Sequence, residues 1–353
     1  MTPEPASGTT SDLDRAPGPG RAPASDVLLS ARNVSVTFLS GGRPLRAVDG
    51  ASLDLRRGET VALVGESGSG KTTLALTMMG GHRPEHGQIM FDGQDVTGLS
   101  ERRMRPFRRR VQMVFQDPYA SLDPRMNVER IVGEPLRAHG LASRAHRRER
   151  VLALLEQVGL PPDALDRRPA QFSGGQRQRI AIARALALEP DVLVADEPVS
   201  ALDVSIQAQI INLLRALQRE RTMSYLIVSH DLALVHHLAD RVAVMYLGRI
   251  VEQASCDELV SAPLHPYTAA LLSAAPSLGR TGARERIVLP GSPPSQFDLP
   301  SGCAFHPRCP IARPRCRVES PEPVTDATGR EVACFHPGEL PGPRLFDSSE
   351  VTT

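Results

Sequence analysis

An α/β fold with a mainly parallel, covered sheet is what this sequence predicts, on three observations. Short apolar runs alternate along the chain with longer segments whose apolar residues recur every three or four positions. The chain has 353 residues, 41% hydrophobic and 23% charged, which suits one or two globular domains with a large core. After about residue 263 the alternation stops and the chain becomes rich in Pro and Cys, marking the boundary of a small appended domain.

The elements follow in chain order. Residues 1–26 are rich in Pro, Gly, Ser and Thr with scarcely any large apolar residue, so they do not repay the entropy of ordering and read as a disordered tail. This stretch also lacks the apolar centre of a signal peptide, and no apolar run is long enough to span a bilayer, so the chain is expected in the cytosol. From Val27 the pattern alternates, with Val34, Val36 and Phe38 set against Ser35 and Thr37, as a strand requires. Residues 59–64, 111–115, 192–195, 224–228 and 242–246 are further short apolar runs with strand character. Between them, residues 147–158, 176–188, 206–220 and 232–239 carry helical spacing. Residues 340–353 read as a flexible tail.

Charge gives one exclusion and one oddity. The net charge is only +1, so no global field argues for nucleic acid, and the locally basic residues 101–110 read as a solvated face. Arginine is everywhere, whereas lysine occurs once, at Lys71. A guanidinium is planar and broad and an ammonium is a slim point charge on a flexible stem, so a single retained lysine points to a site where arginine does not fit.

That lysine lies in Gly65-Glu66-Ser67-Gly68-Ser69-Gly70-Lys71-Thr72, which follows a strand and precedes the helical residues 73–79, opening at Thr73. The pattern is a phosphate-binding loop: its glycines let backbone N–H groups close around phosphates and the helix N-terminus adds a favourable dipole. Lys71 is then placed to reach the outer phosphates and Thr72 to coordinate Mg2+. A second site follows the apolar run 192–195, where Asp196 and Glu197 sit at a strand end. Attack on a phosphoryl group needs a magnesium anchor and a group that positions water, roles assigned here to Asp196 and Glu197 respectively. A third element, Phe172-Ser173-Gly174-Gly175-Gln176, again presents N–H groups and a hydroxyl at a helix start; alone it is indistinguishable from a capping turn.

The order GESGSGKTT, Gln116, SGGQ, LVADEP, Ser200-Ala201-Leu202-Asp203 and His230 resembles the full motif set of the ABC ATPases, over residues 27–263. The resemblance implies an ABC-type P-loop ATPase domain over residues 27–262, with a mainly parallel sheet core, an antiparallel β subdomain and a helical subdomain. To this a small Cys-rich C-terminal extension is added over residues 263–339. It further implies that two such domains pair head to tail, with Ser173, Gly174, Gly175 and Gln176 of one closing over ATP held by the other. Gln116 would sense Mg2+ and the attacking water, His230 would hold the γ-phosphate, Asp203 would lie at the dimer interface and Phe38 would stack on adenine. Phe172 stands where many members have leucine, which leaves the serine and glycines untouched.

Three stretches are similar to the oligopeptide/dipeptide and nickel importers: residues 115–128, residues 195–209, and His265-Pro266-Tyr267 leading into a leucine-containing helix. The branch implies a second ATPase subunit, two membrane permease subunits and an external solute-binding protein acting through them, with the chain peripheral at the cytoplasmic face of the cell membrane. The solute would be an oligopeptide or dipeptide, alternatively nickel or another small solute. ABC ATPases of DNA repair, chromosomes and translation are a rival class supported only by the basic stretch, and no nucleic acid is expected. In the extension, Cys303, Cys309, Cys316 and Cys334 suggest a metal staple, since a cytosolic compartment disfavours disulfides and the segment has few apolar residues. Relatives of this branch in some cases hold a [4Fe-4S] cluster there; spacing alone also permits Zn2+.

Overall fold

A computed structural model describes residues 26–141, 143–200, 202–274 and 286–339. Of the tail expected over residues 1–26 only Asp26 is described, and the tail expected over residues 340–353 lies outside the described residues. Strands β1 (Val27–Ser40), β2 (Arg43–Arg56), β4 (His86–Phe91) and β5 (Gln94–Asp95) form an antiparallel sheet in the order β2-β1-β4-β5, with β3 (Thr60–Val64) set apart in a second sheet. In the second half of β2, buried Ala51, Leu53 and Leu55 alternate with exposed Ser52, Asp54 and Arg56, the period of a half-buried strand.

The second sheet has eight strands, and its centre is parallel. It contains β6 (Val111–Val114), β7 (Val192–Asp196), β8 (Ser224–Ser229), β9 (Arg241–Tyr246), β10 (Arg249–Ser255), β11 (Val324–Thr325) and β12 (Glu331–Val332), in the order β11-β12-β10-β9-β3-β8-β7-β6. The pairs β9-β3, β3-β8, β8-β7 and β7-β6 are parallel, while β9-β10, β10-β12 and β12-β11 are antiparallel. The central parallel strands β3, β7 and β8 are buried along their whole length and mostly apolar, because both faces are covered. Along β3, Val61 and Leu63 face the antiparallel sheet, whereas Ala62 and Val64 face the cluster shared with the C-terminal extension.

The helices are α1 (Lys71–Met78), α2 (Glu101–Arg110), α3 (Pro118–Ser121), α4 (Val128–Ala138), α5 (Arg144–Gln157), α6 (Gly174–Leu186), α7 (Val204–Arg221), α8 (Leu232–Leu238), α9 (Cys256–Ser261), α10 (Pro266–Ala274) and α11 (Pro314–Val318). α4, α5 and α6 pack together as a helical subdomain whose core, with Ile131, Leu136, Val151, Leu155 and Ile180, continues into Val114 and Leu193 of the sheet. The basic stretch forms α2: Met104 and Phe107, three positions apart, are buried. The arginines of α2 stay outside, with Arg108 paired to Glu101, and Arg110 paired to Asp92 and Asp191. No described helix is long and apolar enough to cross a membrane.

The C-terminal extension is built onto the sheet. β12 pairs with β10 through Glu252↔Val332, and Phe305 is buried against Tyr246 and Tyr267 with ring centroids at 5.2 and 5.4 Å. Such aromatic pairs add attraction beyond the area they bury.

Candidate active site

Parallel strands carry their ligands at their carboxyl ends, where the loops emerge. The register puts four such ends level: Val64 of β3 opposite Ser229 of β8, Val228 of β8 opposite Asp196 of β7, and Ala195 of β7 opposite Val114 of β6. The residues that follow are Gly65, His230, Glu197 and, after Phe115, Gln116. Motifs separated by up to 165 positions in the sequence are thereby neighbours in space.

The loop after β3 folds as it does because two glycines allow it. A Cβ on Gly65 would stand 2.2 Å from the Met245 carbonyl oxygen, and one on Gly70, at φ +103°, would stand 2.1 Å from that of Ala47. Lys71 opens α1 and turns its Nζ back to donate to the carbonyls of Gly65 and Glu66, both at 2.9 Å, with Ser69 Oγ at 3.5 Å. Burial lowers its pKa, opposed by the carboxylates of Glu197, Asp196 and Glu66. Ser67, Gly68 and Thr72 are exposed at the mouth of this loop, and Thr73 is half-buried.

Thr72 Oγ1 donates to Asp196 Oδ1 at 3.1 Å. Burial raises the Asp196 pKa, the hydroxyl of Thr72 working against it. A buried carboxylate beside a hydroxyl is a pair of hard oxygens at the phosphate end of the loop, a donor set that fits Mg2+, which takes few protein ligands and completes its shell with water and phosphate. Glu197 accepts from Gln116 Nε2 at 2.7 Å through one carboxylate oxygen, and His230 Nδ1 stands 2.9 Å from the other. Its backbone is left-handed, at φ 44°, a conformation that non-glycine residues adopt at a cost and that clusters at functional sites. Gln116, Asp196, Glu197, His230, Lys71 and Thr72 thus form one connected group.

Ser173 caps α6: its Oγ accepts from Gln176 N–H at 3.3 Å and Gln176 Oε1 accepts from Ser173 N–H at 3.0 Å, a reciprocal capping box. Gly174 and Gly175 lie against Leu202 and Ile206; a Cβ on Gly175 would come within 2.4 Å of Ile206. Asp203 is exposed at the N-cap of α7, beside Val204, which is 80% exposed. Phe38 is half-buried on the core of the antiparallel sheet, edge-on to His82 at 5.2 Å.

No local pattern in the sequence marks the contact between the C-terminal extension and the phosphate loop. Glu66 N–H donates to Tyr267 Oη at 2.8 Å, its carboxylate is held by Arg308 at 2.8 and 3.2 Å, and the Gly68 carbonyl accepts from Gln296 Nε2 at 2.6 Å. The only hint was the His265-Pro266-Tyr267 stretch, which alone reads equally as a plain turn. The four cysteines line one cavity of about 10 Å³ with His265, His306 and His336. Burial pushes the thiols of Cys303, Cys309 and Cys334 up, the last two to about 12 and about 11. The expected iron-sulfur or zinc site nonetheless finds no support in its spacing: among the described residues no three of His, Cys, Asp or Glu stand close enough to hold one metal.

The family described as "ABC transporter" matches residues 48–200, and that described as "Oligopeptide/dipeptide transporter, C-terminal region" matches residues 251–316. The oligopeptide transport ATP-binding protein AppF of Bacillus subtilis is 52% identical over 293 residues, 82% of this chain and 89% of that one. The chain belongs to the ABC transporter ATP-binding proteins. A second relative of this family, the di/tripeptide transport ATP-binding protein DppF of Pseudomonas aeruginosa, is 48% identical over 323 residues, 90% of this chain and all of that one. Among solved ABC structures, the dimeric post-hydrolysis state of the MJ0796 cassette bound to ADP and Pi matches with a TM-score of 0.60 at 30% identity, covering 65% of this chain and 99% of that one. The ABC fold and its ATPase activity are therefore those of this chain.

Proposed function

We propose that this ABC ATPase energises peptide uptake, and that the connected group at the strand ends performs the hydrolysis. One observation carries the catalytic reading: Glu197 is held between Gln116 and His230 at 2.7 and 2.9 Å, beside the Thr72–Asp196 pair and Lys71. The loop N–H groups and Lys71 bind and orient the phosphates, Lys71 exchanging the Gly65 and Glu66 carbonyls for phosphate oxygens. Thr72, Asp196 and Gln116 would hold Mg2+, which when bound would offset the phosphate charge. Glu197 takes a proton from water as general base, with Gln116 and His230 fixing its two oxygens and His230 placed for the γ-phosphate. Phe38 stacks on adenine. Ser173, Gly174, Gly175 and Gln176 of a second ATPase subunit, with Asp203 at the contact, complete the site from across a head-to-tail pair.

Peptide as the solute is supported by the names of both relatives above and by the match over residues 251–316. Neither relative is named for nickel. Two permease subunits and an external binding protein would select the solute, placing the chain peripherally at the cytoplasmic membrane face. The test is purification with permease subunits co-expressed from any neighbouring genes that encode them. ATPase activity is expected to rise when peptide-loaded binding protein is added to that complex. A chain that hydrolyses ATP but never joins a permease would defeat the transport reading.

A metal at Cys303, Cys309, Cys316 and Cys334 is a separate proposal, supported only by the donors and their shared cavity. Elemental analysis and visible absorption of the purified chain test it: iron with sulfide favours the cluster, zinc favours the staple, and neither ends it.

A further inference from the structure

Residue Glu66 joins the C-terminal extension to the phosphate loop through its carboxylate and its N–H, while its carbonyl stays within the loop. Its carboxylate takes two hydrogen bonds from Arg308, whose residue is only 6% exposed, its N–H is bound by Tyr267 Oη, and its carbonyl accepts from Lys71 Nζ. Two residues on, the Gly68 carbonyl is bound by Gln296 at 2.6 Å. Tyr267, Gln296 and Arg308 come from a part of the chain about two hundred or more positions away in the sequence. Arg308 ends a short 3-10 turn, His306–Arg308, anchored by Phe305 in the aromatic cluster with Tyr246, Tyr267 and His265. A bidentate, charge-assisted pair with a buried guanidinium fixes direction as well as distance.

We infer that Arg308, with Tyr267 and Gln296, is a positioning residue of the phosphate loop, so that the C-terminal extension sets the affinity of that loop for nucleotide. The inference rests on the reading of residues 65–72 as the phosphate loop. The physical reason is that the loop must present its N–H groups before phosphate arrives. Each anchor that holds the loop in shape lowers the ordering it undergoes on binding. Because coupling between two sites is reciprocal, bound nucleotide must in turn steady the extension.

The experiment uses the full chain and its Arg308→Met, Glu66→Gln and doubly substituted variants, with Arg330→Met as control. Arg330 is a guanidinium of the extension whose hydrogen bonds go to buried Glu252 and the Ala262 carbonyl and not to the phosphate loop. Arg308→Met is expected to raise KM for ATP at least about fivefold while kcat stays within about twofold, the low end of ordinary site-to-site coupling. Glu66→Gln should do the same, the double variant no more than either, and Arg330→Met should leave KM unchanged. Amide exchange over residues 303–309 should slow with MgATP in the wild type and not in Arg308→Met. An unchanged KM in Arg308→Met, or an equal rise in Arg330→Met, overturns the inference. A wild-type chain that binds no MgATP would instead remove the phosphate-loop reading beneath it, an outcome distinguishable from either.

Discussion

At the scale of single residues, Glu197 concentrates the chemistry: a left-handed backbone, two side-chain partners, and a place at the end of a fully buried strand. Glu197→Gln keeps the shape and one acceptor oxygen but removes the base. Steady-state hydrolysis should fall by about 10²–10⁴, the span of general acid–base catalysis, while filter-binding of ATP stays intact. His265 gives a pH prediction. Full burial lowers its pKa to about 3, and it accepts from Tyr267 N–H through Nδ1 while Glu252, itself paired with Arg330, takes its backbone N–H. A base depressed in the folded state stabilises above its unfolded pKa near 6.5, and that stability is lost as pH falls from there towards the folded value. Chemical denaturation should show each unit below pH 6.5 costing at most about 1.4 kcal/mol, a slope that His265→Gln flattens.

Elements explain why those residues meet. Parallel β3, β8, β7 and β6 end at one level, and each delivers one or two functional side chains from its following loop. The arginine-rich helix α2 hides an amphipathic helix: only Met104 and Phe107 face the core, so most of its positions betray charge and few betray structure. The same sparseness makes the C-terminal extension depend on a few large anchors. Phe305, 1% exposed among Tyr246, Tyr267 and His265, is one of them. Phe305→Ala should destabilise the protein by about 3–5 kcal/mol in equilibrium unfolding, the range for buried aromatic truncation.

For the molecule as a whole, one chain displays its phosphate loop and its Ser173-Gly174-Gly175-Gln176 cap on separate elements, the cap resting on Leu202 and Ile206. Pairing of two chains is the arrangement in which each cap acquires a phosphate to bind. Light scattering of Glu197→Gln is expected to show a dimer with MgATP and a monomer without it, and Ser173→Arg in that background should keep it monomeric. A monomer under all conditions would remove the head-to-tail reading and leave the site of each chain unaltered.

The sequence by itself determined the α/β core and pointed to the phosphate loop and the strand-end acids of the candidate site, because period, strand-end position and loop glycines are local properties that phosphate binding imposes on contiguous residues. Lys71, Thr72, Asp196 and Glu197 were legible for that reason, whereas Gln116, His230 and Asp203 stood out only through resemblance to the family. Tertiary structure alone decided three things. It showed Glu197 bracketed by Gln116 and His230, since parallel register is a relation between distant strands. It gathered four cysteines on one cavity without bringing three donors to metal distance, a matter of side-chain direction that spacing does not encode. And it joined Arg308 to Glu66 across 242 positions, a contact that no local pattern announces because an arginine and a glutamate are among the commonest residues of any surface.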